Sequence, residues 1–402
     1  MKRIYMDYAA TTPLDPEAAE AMRPFLQGGY GNPSSVHATG RTARRALDEA
    51  RDKIAALLGA ESPREIIFTS GGSEADNLAI KGVAWALEHQ RRHIVTSAIE
   101  HHAVLHAVKF LEQRGFEVTY VPPDGRGEVD PERVAAAIRP DTALVSVMHA
   151  NNEVGTIQRV AEIARFARER GALFHTDAVQ TVGHIPVNVR EIGCDLLSLS
   201  GHKFYGPKGI GALYVKRRTP IVPLVHGGGQ EHELRAGTEN VAGAVGMAKA
   251  LELAAARMAD EAERIRTLRD RLVDTVTRAV PGSRLNGHPT RRLPGHANLA
   301  IDGVEGESVL LNLDMRGIEA SSGSACTSGS IDASHVLLAM GLDRRAAMSS
   351  VRFTLGRHTS AEDVDEVARA LAGIVERLRG AGEPARLPLG ARAVASGYDG
   401  KG

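Results

Sequence analysis

The sequence predicts an α/β protein, with a large unit built on a mostly parallel seven-stranded sheet and a smaller α+β unit toward the carboxyl end. Three observations carry this. From about residue 60 to 220, short apolar runs alternate with longer amphipathic stretches, the rhythm of helical crossovers packed on a parallel sheet. After Pro281 that rhythm shortens, as it does in a separate, smaller layer of strands and helices. A length of 402 residues with 43% hydrophobic content supplies ample apolar surface for a core and for its division into two units.

Apolar runs at 66–69, 93–97, 117–121, 143–148, 173–176, 196–200 and 211–215 read as the seven strands of the large sheet. Amphipathic stretches at 74–89, 102–114, 131–138 and 160–170 read as crossover helices. Gly171 follows the last of them, where a helix end favours positive φ. Residues 241–280 are rich in Ala, Leu, Glu and Arg and free of proline until Pro281, so they read as one long helix or two joined ones bridging the units. Beyond them, 298–301 and 351–354 read as strands, and 307–315, 334–340 and 361–378 as helices. The domain division expected is an N-terminal segment at 1–14 packing with the small domain, a large domain at 15–260 and a small domain at 261–380. Residues 381–402 carry Gly, Pro, Ala and Arg without apolar periodicity and read as a mobile tail, because burial there would not offset the entropy of ordering.

Composition excludes several classes of function. With 49 Lys+Arg against 49 Asp+Glu, the chain has no overall electrostatic footprint for nucleic acid or an anionic membrane. Two cysteines, Cys194 and Cys326, allow at most one internal disulfide and cannot hold a structural zinc without other ligands. No stretch reaches membrane-spanning length without a charge or a Gly/Pro interruption, and the start has two basic residues but no long apolar run. The expected location is the cytoplasm.

Chemistry concentrates at strand ends. Ile66–Thr69 runs through Ser70-Gly71-Gly72 into a helix near Ser73, a turn whose backbone N–H groups converge at the positive end of a helix and suit a phosphate. An ordinary serine-capped helix start explains that turn equally well. The run lacks the Gly-Lys-Ser/Thr and G-x-G-x-x-G spacings of nucleotide loops. Asp177 and Gln180 follow the strand at 173–176, where α/β sheets assemble ligand sites. Ser200, His202 and Lys203 follow the next strand, before a Gly/Pro-rich loop. A lysine on a rigid strand end, beside a Ser-Gly-His turn and an acid on the neighbouring strand, is what pyridoxal phosphate requires. The lysine forms a Schiff base, the acid keeps the ring nitrogen protonated, and hydroxyl, imidazole and amide donors hold the phosphate.

The strings SGGSEADNLAIKG (70–82), EHHAVL (100–105), NNEVGTIQ (151–158), HTDAVQ (175–180), SGHKFYGPKGIGALY (200–214), GGGQEHELRAGTEN (227–240) and SSGSACTSG (321–329) closely resemble cysteine desulfurases. These are the NifS/IscS-like branch of pyridoxal-phosphate enzymes of aminotransferase fold type I. The matches keep their order and spread over about residues 5 to 375. The resemblance implies that Lys203 carries the cofactor, Asp177 pairs with its ring nitrogen, Gln180 bonds its phenolic oxygen, and His101 stacks on the ring and relays protons. Of the pair His101–His102, His102 is the one expected to serve merely as a helix cap. Gly72, Ser73, Ser200 and His202 would hold the phosphate, with Thr238 arriving from the partner subunit of a homodimer. Asn152 would line the cofactor and, with Asn32 and Arg352, bind the substrate carboxylate, for which a guanidinium fork is well shaped. Read without the family, Arg352 is a strand arginine and Asn32 an Asx-type turn before Pro33.

Cys326 lies among small polar residues with nothing to pack against, unlike Cys194 in IGCDLL, which reads as a buried apolar filler. By resemblance, Cys326 attacks the sulfur of L-cysteine and carries it as a persulfide for transfer, with L-alanine as the other product. The expected recipients are an iron–sulfur scaffold protein or another sulfur acceptor. No metal is required, and Cys326 would be the ligand of any iron–sulfur cluster in transfer. Position 73 is Ser where many relatives have Thr, and 236 is Ala where many have Ser. The alternatives are a selenocysteine lyase, another aminotransferase of the same fold type, and a non-catalytic interaction homologue. The thiol in a Ser/Gly loop argues against transamination, and intact Lys203, Asp177 and Cys326 argue against a binding-only role.

Overall fold

The computed structural model describes residues 3–322 and 332–381. A short strand β1 (Ile4–Tyr5) opens the chain, and two helices follow, α1 (Pro16–Gln27) and α2 (Ala38–Leu58). Neither helix belongs to the strand–helix alternation that begins near residue 60, and the sequence reading had no element for them. Asp15 caps α1 through a carboxylate that accepts from the Glu17 N–H, with Pro16 at the first helical position. Gly59 ends α2 in the left-handed conformation.

The alternation then unfolds as β2 (Ile66–Thr69), α3 (Gly72–Leu87), β3 (His93–Ser97), α4 (His102–Glu112), β4 (Glu117–Val121), α5 (Pro131–Ala137) and β5 (Thr142–Ser146). It continues through α6 (Val160–Glu169), β6 (Leu173–Asp177), α7 (Val189–Ile192), β7 (Leu196–Ser200) and β8 (Gly211–Val215). The seven strands form one sheet in the order β2-β8-β7-β6-β5-β3-β4. Strands β3 to β7 run parallel, and β8 runs antiparallel to both β7 and β2. In β3, β5, β7 and β8 every residue is buried, as expected of strands covered on both faces. One apolar cluster, including Leu47, Phe174, Leu197 and Met247, fills one side. A second, including Leu78, Ile94, Val108 and Leu213, packs α3 and α4 on the other.

Helix α8 (Val241–Ala279) is a single uninterrupted helix of 39 residues, which resolves the one-or-two question. Its first half is buried with α1 and α2. Its second half packs with the antiparallel sheet of β9 (Ser283–Asn286), β10 (His296–Ile301) and β12 (Ser350–Thr354) and with the last helix α12 (Ala361–Ala381). Between β10 and β12 come α9 (Gly306–Asp314), β11 (Ile318–Glu319), α10 (His335–Ala339) and α11 (Arg344–Met348). A core separate from the large sheet's gathers Leu272, Leu299, Phe353 and Leu371. The N-terminal arm reaches this region: β1 pairs in parallel with β11. Of the tail expected at 381–402, Ala381 closes α12 and residues 382–402 lie outside the described residues.

One loop is held under strain. Glu231, His232 and Glu233 all adopt left-handed φ values (47°, 59° and 69°) without being glycine. What compensates is a buried ion pair. Glu231 receives both Arg51 Nη atoms at 2.7 Å and the Phe68 N–H at 2.8 Å, which ties the loop to α2 and β2 at once.

Candidate active site

Parallel strands deliver their carboxyl ends to one edge of the sheet, and the site is built there. A cavity of about 390 Å³ is lined by Gly72, Ser73, Asp76, His101, Met148, Asn152, Asp177, Val179, Gln180, Ser200, His202, Lys203 and Arg352, together with Ala9 and Ala10 of the N-terminal arm.

Asp177 is the last residue of β6. Its Oδ1 accepts from the Val179 N–H at 2.9 Å, which orients the carboxylate past the strand end. Burial pushes its pKa up to about 6, and the Val179 bond and the Lys203 ammonium oppose that shift. Lys203 Nζ donates to the carbonyls of Ala9 at 2.6 Å and Ala10 at 2.8 Å, and Gln180 Nε2 donates to the same Ala9 carbonyl at 3.0 Å. Thr12 Oγ1 donates to the His202 carbonyl, and Thr11 Oγ1 lies 3.1 Å from His202 Nδ1. The arm thus forms a wall of the site. Nothing in its Tyr-Ala-Ala-Thr-Thr sequence, which lacks periodicity, announces this.

His101 caps α4: its Nδ1 accepts from the Ala103 N–H at 3.1 Å. This corrects the expectation that His102 would take the capping role. An accepting Nδ1 leaves the ring proton on Nε2, and burial followed by the charge of Lys203 pushes the pKa down to about 4, so the ring is neutral. Burial and the nearby Lys203 and Lys208 lower His202 to about 4 as well.

The turn into α3 begins the helix at Gly72, preceded by Gly71, which offers no side-chain cap. Its first N–H groups and positive dipole end are therefore available to an anion. A Cβ on Gly72 would meet Val179 Cγ2 at 2.7 Å and Ser200 Cβ at 3.5 Å, so the backbone lies directly against Ser200. Arg352, on β12, donates to Asp7 Oδ1 at 2.7 Å and to the Asn152 carbonyl at 3.0 Å. Its buried Nε has no hydrogen-bond partner among the described residues.

Three site residues of the sequence reading stand elsewhere. Asn32 is exposed, and its Oδ1 accepts from the Ser34 N–H at 2.9 Å in an Asx turn, away from this chain's cavity. Thr238 is exposed on the loop after the strained residues and does not line the cavity either. Cys326 lies outside the described residues. The flanks of its segment do reach the site: Ser321 bridges Arg352 in both directions, and His335 Nε2 lies 3.0 Å from the Glu100 carbonyl. Cys194 is buried and its thiol is pushed up to about 12, as a packing cysteine's would be.

The residues present fit pyridoxal phosphate. The cavity combines an uncapped helix start beside a serine hydroxyl, a buried carboxylate electrostatically coupled to a lysine, and an arginine with a donor to spare.

Comparison with known proteins agrees with this chemistry. The aminotransferase class-V family matches residues 4–367. A cysteine desulfurase IscS of Dictyoglomus turgidum is 56% identical over 380 residues, covering 94% of this chain and 96% of that one. Among solved structures, a NifS-like protein superposes with a TM-score of 0.88 at 40% identity, over 94% of this chain and 100% of that one. SspA in complex with cysteine superposes with a TM-score of 0.79 at 38% identity, over 89% of this chain and 100% of that one. No helix among the described residues is long and apolar enough to cross a membrane.

Proposed function

The chain belongs to the class-V aminotransferase family and is a pyridoxal-phosphate-dependent cysteine desulfurase, and on that premise we propose how its residues divide the work. The observation that carries the assignment is the single cavity shared by Lys203, Asp177, Gln180, His101, Ser200, His202 and the Gly72–Ser73 turn.

Lys203 would hold the cofactor covalently, Asp177 its ring nitrogen and Gln180 its phenolic oxygen. Gly72, Ser73, Ser200 and His202 would hold the phosphate, with the uncapped start of α3 adding its dipole. When bound, the cofactor supplies a carbonyl that captures the substrate amine and a ring that withdraws electrons from Cα. Lys203 Nζ would also move the Cα proton, and the His101 ring within reach of its charge is neutral. His101, which lines the same cavity, would stack on the cofactor ring and, with its proton on Nε2, could relay protons there. Arg352, which lines the cavity, would grip the substrate carboxylate with its guanidinium fork, exchanging its contacts to Asp7 and the Asn152 carbonyl for it, and Asn152 stands beside it. Asn32 is assigned there on the resemblance alone. The Cys326 thiolate takes the sulfur as a persulfide, so an S–S bond forms as the C–S bond breaks, and L-alanine is released.

A homodimer follows from the same reading. Thr238, exposed and away from its own cavity, would complete the phosphate site of a second copy. Two apolar cores support the division into a segment 1–14, a large domain 15–260 and a small domain 261–380, with Ile4 and Met6 of the segment in the small domain's core, although Val336, Leu337, Met340 and Ala347 pack in the large domain's. An iron–sulfur scaffold protein as acceptor and a cytoplasmic location rest on the family resemblance.

The test is to incubate the enzyme with L-cysteine and assay alanine and enzyme-bound sulfane sulfur together; equal amounts support the scheme. Cys326→Ala should keep the coloured cofactor and release no sulfide in the presence of a reductant. Robust sulfide release by that variant would remove the thiol from the reaction.

A further inference from the structure

The floor of the cavity holds more carboxyl groups than this scheme uses. Asp177, Asp76 and Glu100 are buried, at 5%, 1% and 0% exposure, and lie within electrostatic reach of one another. Asp76 sits one turn beyond Ser73 on the same face of α3 and lines the cavity. Its Oδ1 has no hydrogen-bond partner among the described residues. The nearest basic group is His175 Nε2, 3.7 Å away. That imidazole supplies no positive charge. Its Nε2 lies 3.0 Å from Ser198 Oγ and its Nδ1 2.8 Å from Ser146 Oγ, and burial pushes its pKa down to about 3. Ser198, the cross-strand neighbour of Asp177, also stands beside Asp76, where its hydroxyl favours the ionised carboxylate and opposes the effect of burial.

An ionised Asp76 would therefore be a buried anion with a bare oxygen, no cationic neighbour of its own and a second carboxylate close by. None of these conditions is tolerated cheaply in an apolar interior. The groups facing this corner are Glu100 from the turn before α4, His101 at its cap, His175 and Asp177 on β6, and His202 and Lys203 after β7. Lys203 is the cation among them, and its charge acts on Asp177.

We infer that Asp76 is a positioning residue held as a neutral acid, which fills the corner beside Asp177 with a hydrogen-bonding but uncharged group so that the negative charge of the cavity floor stays on Asp177. Burial and the Asp177 carboxylate both push the Asp76 pKa up, in the direction this requires. A protonated Asp76 would donate to Ser198, whose own hydrogen would then turn toward His175 Nε2; the opposite sense, in which Ser198 donates to an ionised Asp76, lowers the pKa but is outweighed by burial. The inference rests on the assignment of Asp177 to the ring nitrogen.

Infrared difference spectra of cofactor-free wild type and Asp76→Asn at neutral pH test the proton directly. The expected result is a carboxylic-acid C=O band in wild type that the variant lacks; no such loss overturns the inference. In the loaded enzymes, Asp76→Asn replaces one neutral group by another, so the pH midpoint of the bound cofactor's visible absorption should stay within about 0.3 unit, and a displacement of about one unit or more overturns it. Asp76→Val, of similar size but unable to hydrogen-bond, should bind cofactor about ten-fold more weakly while Asn stays within about two-fold of wild type. Equal affinity of Val and wild type overturns the positioning role. If Asp177→Asn kept full cofactor affinity and turnover, the underlying assignment would fall while the infrared result at Asp76 stood. The opposite pattern removes Asp76 alone.

Discussion

The floor and the rim of the cavity are built on different terms. On the floor, Asp177 and Ser200 end buried parallel strands and Lys203 follows the second, and the Asp177 carboxylate and the Lys203 amine are held by backbone groups. The residues assigned to the rim, Asn32 and Thr238, are exposed and stand away from this chain's own cavity, and the described chain breaks off after Ser322, next to Ser321, the backbone partner of Arg352. The difference separates two requirements. Holding a cofactor demands groups pre-set within a rigid sheet, whereas delivering sulfur to another molecule demands residues at the surface.

If the floor carries the chemistry and the rim the exchange, substitutions should grade accordingly. The largest effect is expected for Lys203→Ala, which on the proposed scheme removes both the covalent anchor and the proton carrier. Turnover should fall by roughly a thousand-fold, and borohydride should no longer fix the cofactor to the protein. Asp177→Asn removes a charge-assisted bond, so cofactor affinity and turnover should each drop by about ten- to a hundred-fold, as seen by absorbance titration and alanine assay. Thr238→Val, at the rim, should weaken cofactor binding only about five-fold, the worth of one neutral hydrogen bond, and the loss should be complemented in mixed dimers that pair it with a floor variant. A Thr238→Val effect as large as that of Asp177→Asn would erase the contrast.

The smallest effect concerns stability. Burial raises Glu100 in the folded chain from its ordinary 4.5 to about 8. The folded state therefore binds a proton more tightly than the unfolded chain across that window, and the group's contribution is present below the lower value and lost as pH rises to the upper one. Glu100→Gln should gain in melting temperature relative to wild type as the pH is raised through this range. The reverse trend would mean that the carboxyl group is ionised in the fold. Buried histidines tilt the other way. His101, at about 4 in the fold, is protonated more readily in the unfolded chain, so its contribution is present above 6.5 and lost as pH falls toward 4.

Much of the floor was legible because strands announce themselves. The runs at 66–69, 93–97, 117–121, 196–200 and 211–215 coincide with β2, β3, β4, β7 and β8, and the cavity residues Gly72, Ser73, Asp177, Gln180, Ser200, His202 and Lys203 lie at or just past the ends of β2, β6 and β7. Periodicity also located α8, since an interior free of proline and rich in helix formers has few alternatives. What escaped was whatever depends on distant partners. Helices α1 and α2 lie outside the alternation, and their buried faces make sense only against α8. The arm at residues 7–12 has no local signature, because its role is to offer carbonyls and hydroxyls to side chains nearly two hundred positions away. Asp76 and His175 carried a usable signal that went unread. One lies a helical turn past Ser73, and the other two residues before Asp177 on the same strand face.

The carboxylate of Glu231 grips Arg51 and the Phe68 amide together, and Phe68 belongs to the strand that runs straight into Gly71 and Gly72. The loop that leads to Thr238 and the proposed cradle for the chain's own phosphate are thus fastened together, by this grip and by Arg235 Nε donating to Glu74 Oε1 at 2.9 Å. In the proposed pair of subunits, slack in one protomer's cradle would be felt at the hydroxyl it lends to its neighbour, so filling one site would steady the other.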